Sequence, residues 1–259
     1  MPFSGQAGTR IYWKLEGADD APPLVLLNSI GTDMDLWAPV LPLLRPTHRL
    51  LRVDTRGHGA SDAPDGDYTL AGLANDVFAA MDAAAIESAA VAGVSLGGMI
   101  AMEMALAQSA RVNALALVCT SASMDKAAWS ERVAKVRAEG MAAIAELAMG
   151  RFLSPAFIAA QQAIAATVRR QLITMQTAGY AGCAAAIRDM NLASRLGAIG
   201  CPVLVVTGER DTSTPLQGHG EFLLAAIDGA RHVAIPSAHL APIEAPGPLA
   251  AAMHDHFRT

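Results

Sequence analysis

Ser95 lies in Gly93-Val94-Ser95-Leu96-Gly97, a hydroxyl set among small residues where the apolar run AAVAGVS gives way to a helical pattern. The G-x-S-x-G spacing predicts a sharp strand-to-helix turn, because residues two positions either side of the serine must be small for so tight a reversal. Gly98 gives the helix room to approach the sheet closely. Such a turn lifts the hydroxyl beyond the carboxyl end of its strand, where open α/β sheets bind ligands. A glycine-rich turn can also cradle phosphate at a helix N-terminus. That use calls for G-x-G-x-x-G or a following lysine, and neither is present. The chemistry that suits this corner is nucleophilic attack by serine.

A serine alcohol needs a base within hydrogen-bond reach. His239 follows the late apolar run VAIPSA and is the expected general base. His58, in DTRGHGASD, reads as a turn-stabilising residue, while His48, His219, His232, His254 and His256 fall at positions that suggest exposure. Asp211, in the loop after VLVVTG, is the expected acid that holds the imidazole tautomer. Glu209 and Asp125 are the alternatives. A developing oxyanion needs backbone donors, each worth about 3 kcal/mol. The Leu96 N–H at the helix start is one, and the Ile30 N–H in Asn28-Ser29-Ile30-Gly31 is the other, with Ser29 its competing neighbour.

These residues need a scaffold that brings distant segments to one edge. PLVLLNS, HRLLRVDTRG, AAVAGVS, VNALALVCTS, CPVLVVTGERD and ARHVAIPSAH are too short for helices and read as strands buried on both faces. Helical patterns over 70–84, 97–109 and 247–257 separate several of them, so we expect a mostly parallel sheet with helices on both faces. TRIYWKLEG reads as a hairpin strand at one edge. The stretch 121–198 has no convincing strand and reads as a helical cap insertion, leaving 1–120 and 199–259 as the core of what is otherwise one domain.

Composition narrows the function further. The 259 residues are 53% hydrophobic and 17% charged, enough apolar side chain for a large core. A net charge of −5 without a basic stripe argues against nucleic acid. No apolar run reaches the roughly 18 residues of a membrane span, and MPFSGQAGTR, without a basic region followed by an apolar core, does not read as a secretory leader. The three cysteines are widely spaced and show no metal-ligand grouping. We therefore expect a cytoplasmic protein acting on a small molecule without a metal or organic cofactor, its oligomeric state open.

LLNSIGTDMDLW, RVDTRGHGASDAPDGDYTL, GVSLGGMIAMEMA, VRAEGMAAIAE, GYAGCAAAIRDMNL, VTGERDTSTP and AHLAPIEAP together resemble the α/β-hydrolase superfamily, and within it the 3-oxoadipate enol-lactonases. The segment TSASMDKAAW and the Ala241-Pro242 pair depart from that group's pattern. The resemblance implies an α/β-hydrolase fold and a Ser95-Asp211-His239 triad. It also implies hydrolysis of a five-membered enol lactone bearing an acetate arm, which gives 3-oxoadipate. On a protein of negative charge the substrate carboxylate needs a local cation. Arg132 could hold it bidentately while Trp129, three residues earlier on the same helix face, packs on the ring. Ser29 is a further binding candidate, and Arg137, Arg151 and Arg188 are rival cations. Leu96, Met99 and Trp37 are pocket walls or core. A general carboxylesterase or perhydrolase would use the same triad, and a ligand receptor on the same fold is the remaining alternative.

Overall fold

The computed structural model describes residues 3–6 and 8–258. Eight strands form one sheet: β1 (Phe3–Gln6), β2 (Thr9–Glu16), β3 (Pro23–Leu27), β4 (Arg49–Val53), β5 (Ala89–Val94), β6 (Val112–Val118), β7 (Val203–Gly208) and β8 (Arg231–Ile235). Their spatial order is β1-β2-β4-β3-β5-β6-β7-β8. The first two strands make an antiparallel hairpin, β2 pairs antiparallel with β4, and every other pairing is parallel. The aliphatic side chains of β3, β5, β6 and β7 are almost wholly buried, as expected of strands covered on both faces. β8 differs: Arg231 and Ala234 are exposed and Val233 only half-buried. Its apolar composition reads as interior, but it closes the edge of the sheet and has one neighbour.

Helices α1 (Leu41–Leu44), α2 (Leu70–Ala83) and α3 (Leu96–Ala107) lie within the first six strands' connections. Thr69 caps α2 by accepting from the Gly72 N–H. Between β6 and β7 the chain forms α4 (Lys126–Glu139), α5 (Ala145–Phe152), α6 (Pro155–Ala160), α7 (Gln162–Thr174) and α8 (Thr177–Arg188), with no strand among them. After β7 come α9 (Glu221–Ala226), α10 (Ala241–Glu244) and α11 (Pro246–Phe257). The observed helices begin and end within a residue or two of the patterns in the sequence. No helix among the described residues is long and apolar enough to cross a membrane.

Buried apolar residues from the sheet, α2, α3 and α11 continue without a break into Val133, Met149, Leu172 and Tyr180 of α4–α8. The helical stretch is tied to the loops after β3, β4 and β8. Tyr68 donates its N–H to the Gly182 carbonyl at 3.1 Å, and Leu240 donates to the Phe152 carbonyl at 3.0 Å. A Cβ on Gly179 would come within 2.5 Å of Gly57 Cα, so α8 reaches that loop only because both residues are glycine. Asp67 accepts from Arg188 at 2.8 Å and also from Arg137, joining the loop before α2 to α4 and α8.

β3 sits between β4 and β5, so the chain leaves β3 toward one side of the sheet and later returns to its other side. The carboxyl ends of these neighbouring strands therefore diverge into a crevice, the usual ligand site of an open α/β sheet. The loop after β3 and the turn after β5 flank it.

Candidate active site

Ser95 follows the last residue of β5 and precedes the first of α3, with φ 55° and ψ −114°. A positive φ at a non-glycine residue costs on the order of 1–3 kcal/mol, and the surrounding structure must hold it. It does so through both backbone groups. The Ser95 N–H donates to the Val118 carbonyl at 2.9 Å, and its carbonyl accepts from the Thr120 hydroxyl at 2.6 Å. A Cβ on Gly93 would collide with the Gly97 backbone, and one on Gly97 would come within 2.5 Å of the Leu27 carbonyl oxygen. These two glycines are what allow helix, turn and β3 to meet.

Asp211 and His239 come from the loops after β7 and β8, at the same edge of the sheet as Ser95. Asp211 Oδ2 is 2.9 Å from His239 Nδ1 and also accepts from the Thr214 hydroxyl at 2.8 Å. Its other oxygen accepts from the N–H groups of Ser213 at 2.8 Å and Thr214 at 3.3 Å. Burial alone would push this carboxyl upward, but the His239 charge and hydrogen bond, with the two loop donors, bring it to about 2. Asp211 is therefore ionised throughout the neutral range. In neutral His239 the carboxylate holds the proton on Nδ1, leaving Nε2 as the basic nitrogen. Ser95 Oγ makes no side-chain hydrogen bond among the described residues, so His239 is bonded to Asp211 but not to the serine. The other two acids take different places: Asp125 caps α4 through the Ala127 and Ala128 N–H groups, and Glu209 is exposed.

The loop after β3 sorts its own donors. The Gly31 N–H goes to His58 Nε2 at 3.0 Å, Thr32 N–H to the Ser29 carbonyl at 3.2 Å, and Met34 N–H to Asp54 at 2.8 Å. The N–H groups of Ser29 and Ile30 have no acceptor among the described residues. The Leu96 N–H, in the first turn of α3, has no partner within its helix. Ser29 is fully buried, its hydroxyl 3.4 Å from the Ile30 carbonyl.

Several histidines differ from expectation. His48 and His256 are buried, and His219, His232 and His254 are half-buried, because they pack with chain remote in sequence. His48 lies against His254 and Phe257, His232 bonds Thr207, and His219 bonds Ser121. His58 does stabilise a turn, but across loops: Nδ1 faces the Arg56 carbonyl at 3.1 Å while Nε2 receives Gly31. Burial lowers it to about 4. Beside it Asp54 is raised to about 6, chiefly by burial and in part by Asp33 and Asp35, against the N–H bonds from Ala60 and Met34.

These two shifts have opposite consequences. His58, ordinarily near 6.5, contributes stability that is complete above that pH and lost as pH falls through about 4, worth about 3 kcal/mol. Asp54 contributes stability that is complete below its usual 3.8 and lost as pH rises through about 6, of about the same size. The slopes nearly cancel between pH 4 and 6. His58→Gln is therefore expected to become progressively more stable as pH falls from 6 to 4, relative to the wild type, in urea unfolding. Parallel pH profiles for the two proteins would refute the lowered His58 value.

Arg132, Trp129 and Tyr180 come together between α4 and α8. The Arg132 guanidinium lies 4.7 Å above the Trp129 ring and 3.5 Å from the Tyr180 hydroxyl. One face of Trp129 is thus taken by Arg132, whereas the sequence suggested that it packs on a substrate ring. No carboxylate among the described residues pairs with Arg132. Arg137 and Arg188 are committed to Asp67, and Arg188 also to Asp189; Arg151 is exposed. Leu96, Met99 and Trp37 are core residues, the Trp37 Nε1 donating to the Leu27 carbonyl at 3.2 Å. A cleft of about 280 Å³ opens beside the β3 loop, lined by Gly31, Thr32, His58, Gln171 and Met175 among others.

Phe152 has no counterpart in the sequence reading. Its ring is nearly parallel to His239, 11° between planes with centroids 6.4 Å apart, and it also borders Gly31. It lies in a segment without any motif, so no local pattern marks it. Among the described residues no group of His, Cys, Asp or Glu is arranged to hold a metal ion.

The sheet order, the strained serine turn and the carboxylate–imidazole pair define an α/β hydrolase, and residues 22–246 match the sequence model of the family described as alpha/beta hydrolase fold. The chain belongs to that family. Within it, the chain is 32% identical to 3-oxoadipate enol-lactonase 2 of Acinetobacter baylyi over 231 residues, 89% of this chain and 86% of that protein. Among solved structures, the enol-lactonase of Burkholderia xenovorans LB400 superposes with a TM-score of 0.96 at 32% identity, over 100% of both chains. A hydrolase from Pseudomonas aeruginosa is 38% identical, with a TM-score of 0.95 over 99% of this chain and 98% of that one.

Proposed function

We propose that the protein is a serine hydrolase that opens a small enol lactone carrying a carboxylate arm, with 3-oxoadipate enol-lactone as substrate. The observation that carries this reading is the Asp211–His239 bond at 2.9 Å, held at the sheet edge from which the strained Ser95 turn projects. The substrate is suggested by the enol-lactonases to which the chain is similar.

In this reading Ser95 Oγ attacks the ring carbonyl and His239 Nε2 takes its proton. The oxyanion forms beside the Leu96 and Ile30 N–H groups. Collapse breaks the ring C–O bond, leaving an acyl-enzyme and an enolate that His239 protonates. Because an enolate is a better leaving group than an alkoxide, little acid strength is required of the imidazolium. Water then attacks the acyl carbon, gives its proton to His239, and Ser95 regains that proton as the diacid leaves. Segment 121–198 serves as the cap over a core made of 1–120 and 199–259.

The substrate carboxylate is assigned to Arg132, held from beneath by Trp129 and free of any protein carboxylate among the described residues. A charge-assisted bond is worth about 1.5–3 kcal/mol. Arg132→Ala is therefore expected to raise KM for the anionic lactone about 10-fold or more while leaving KM for p-nitrophenyl acetate nearly unchanged. Equal effects on the two substrates would instead favour a general carboxylesterase and remove the clamp.

A further inference from the structure

Glu244, on α10, is buried to 1% exposure, yet no step above uses its charge. Three segments do. One oxygen accepts from the Ala238 N–H at 3.0 Å, directly before His239, and lies 3.5 Å from the Arg210 guanidinium, directly before Asp211. The other accepts from the Ser154 N–H in the helical stretch between β6 and β7. Arg210 in turn donates to the Pro236 carbonyl, closing the acid loop onto the base loop. Beside this node the Leu240 N–H reaches the Phe152 carbonyl at 3.0 Å, and the Phe152 ring lies nearly parallel to His239 with centroids 6.4 Å apart. A buried carboxylate is expensive unless its oxygens are filled, and these are filled by the loops that carry the base, the acid and Phe152.

We propose that Glu244 is a positioning residue that clamps the base loop, the acid loop and the segment bearing Phe152, so that His239 is aligned only while that segment is seated. The inference rests on the serine-hydrolase reading. Glu244 touches no reacting atom; it acts through the Ala238 N–H and Arg210 on the base and acid loops, and through the Ser154 N–H on the segment above them. Cutting the link to Ser154 would leave the residues of the triad intact but their alignment loose. Misplacement of about 1 Å at a reacting group can cost about 100-fold in rate.

Ser154 allows the link to be cut alone. Its φ is −67°, the value proline prefers, and Leu153 before it is extended at φ −126° and ψ 144°, as a residue before proline must be. Ser154→Pro removes the N–H donor, and Ser154→Ala controls for the lost hydroxyl that caps α6. The readouts are kcat and KM for p-nitrophenyl acetate and the rate at which a fluorophosphonate labels Ser95. Ser154→Ala should behave as wild type. Ser154→Pro should lower kcat about 10- to 100-fold, slow labelling in proportion, and leave KM within about 3-fold, a split that a purely structural contact would not produce. Equal kcat and labelling in the two variants would overturn the proposal. Should Ser154→Pro fail to fold, Glu244→Gln decides: the amide has one acceptor oxygen, so the Ala238 and Ser154 N–H groups cannot both be satisfied, the same kcat loss is expected and wild-type turnover refutes it. Absence of labelling in the wild type itself would instead bring down the hydrolase reading.

Discussion

Ser95→Ala is expected to lower kcat for any ester or lactone by about 10⁶-fold, the loss seen when the nucleophile of a serine triad is removed. The protein should stay folded, because the side chain forms no hydrogen bond that the turn needs. The strained φ of 55° is held through the Ser95 N–H and carbonyl, bonded to Val118 and Thr120, and both survive the substitution. Activity should therefore vanish while the urea midpoint shifts little. Retention of more than about a hundredth of the wild-type rate in a preparation free of contaminating esterase would remove Ser95 from the mechanism.

Asp211→Asn is expected to cost about 10⁴-fold in kcat near neutral pH, and the reason lies in the wiring of this particular carboxylate. Oδ1 already accepts two N–H groups, from Ser213 and Thr214, so the asparagine carbonyl must occupy that position. The amide nitrogen then stands where Oδ2 faced His239, and it can only donate. His239 Nδ1 must become the acceptor, which moves the imidazole proton to Nε2 and disables the base. KM should change little, since no substrate contact is lost. A loss below about 10-fold would mean that Asp211 does not orient the base, and that another group does.

How much of this was legible beforehand follows from the range of the forces involved. The Ser95 turn is legible because its geometry restricts residues two positions away, so Gly93 and Gly97 advertise it. His239 and Asp211 are legible because a parallel sheet puts successive loops at one edge, and chain order then identifies them. Contacts between segments far apart are not legible. Phe152 beside His239, Arg132 beside the Tyr180 hydroxyl and the Ser154 bond to Glu244 depend on how the helices between β6 and β7 settle against one another and against loops that no local pattern announces. The same holds for His48, whose polar side chain suggests surface but whose neighbours His254 and Phe257 come from the far end of the chain. β8 reads as interior by composition, and only its place at the end of the strand order exposes it.

The loop after β3 illustrates a middle case. That this loop is the one proposed to supply an oxyanion donor follows from its position beside the serine turn. Which N–H is free follows only from the observation that His58 has already taken Gly31 and the Ser29 carbonyl has taken Thr32. A histidine that reads as a turn residue thus takes the Gly31 N–H and leaves those of Ser29 and Ile30 without an acceptor among the described residues.

The most direct test is rapid acid quench of the protein turning over p-nitrophenyl acetate, followed by intact-mass measurement and peptide mapping. A single added acetyl group is expected, on the peptide containing Ser95, disappearing on further incubation with water. Turnover with no covalent species at any quench time, or an acetyl group mapped to a residue other than Ser95, would contradict the Ser95 acyl-enzyme.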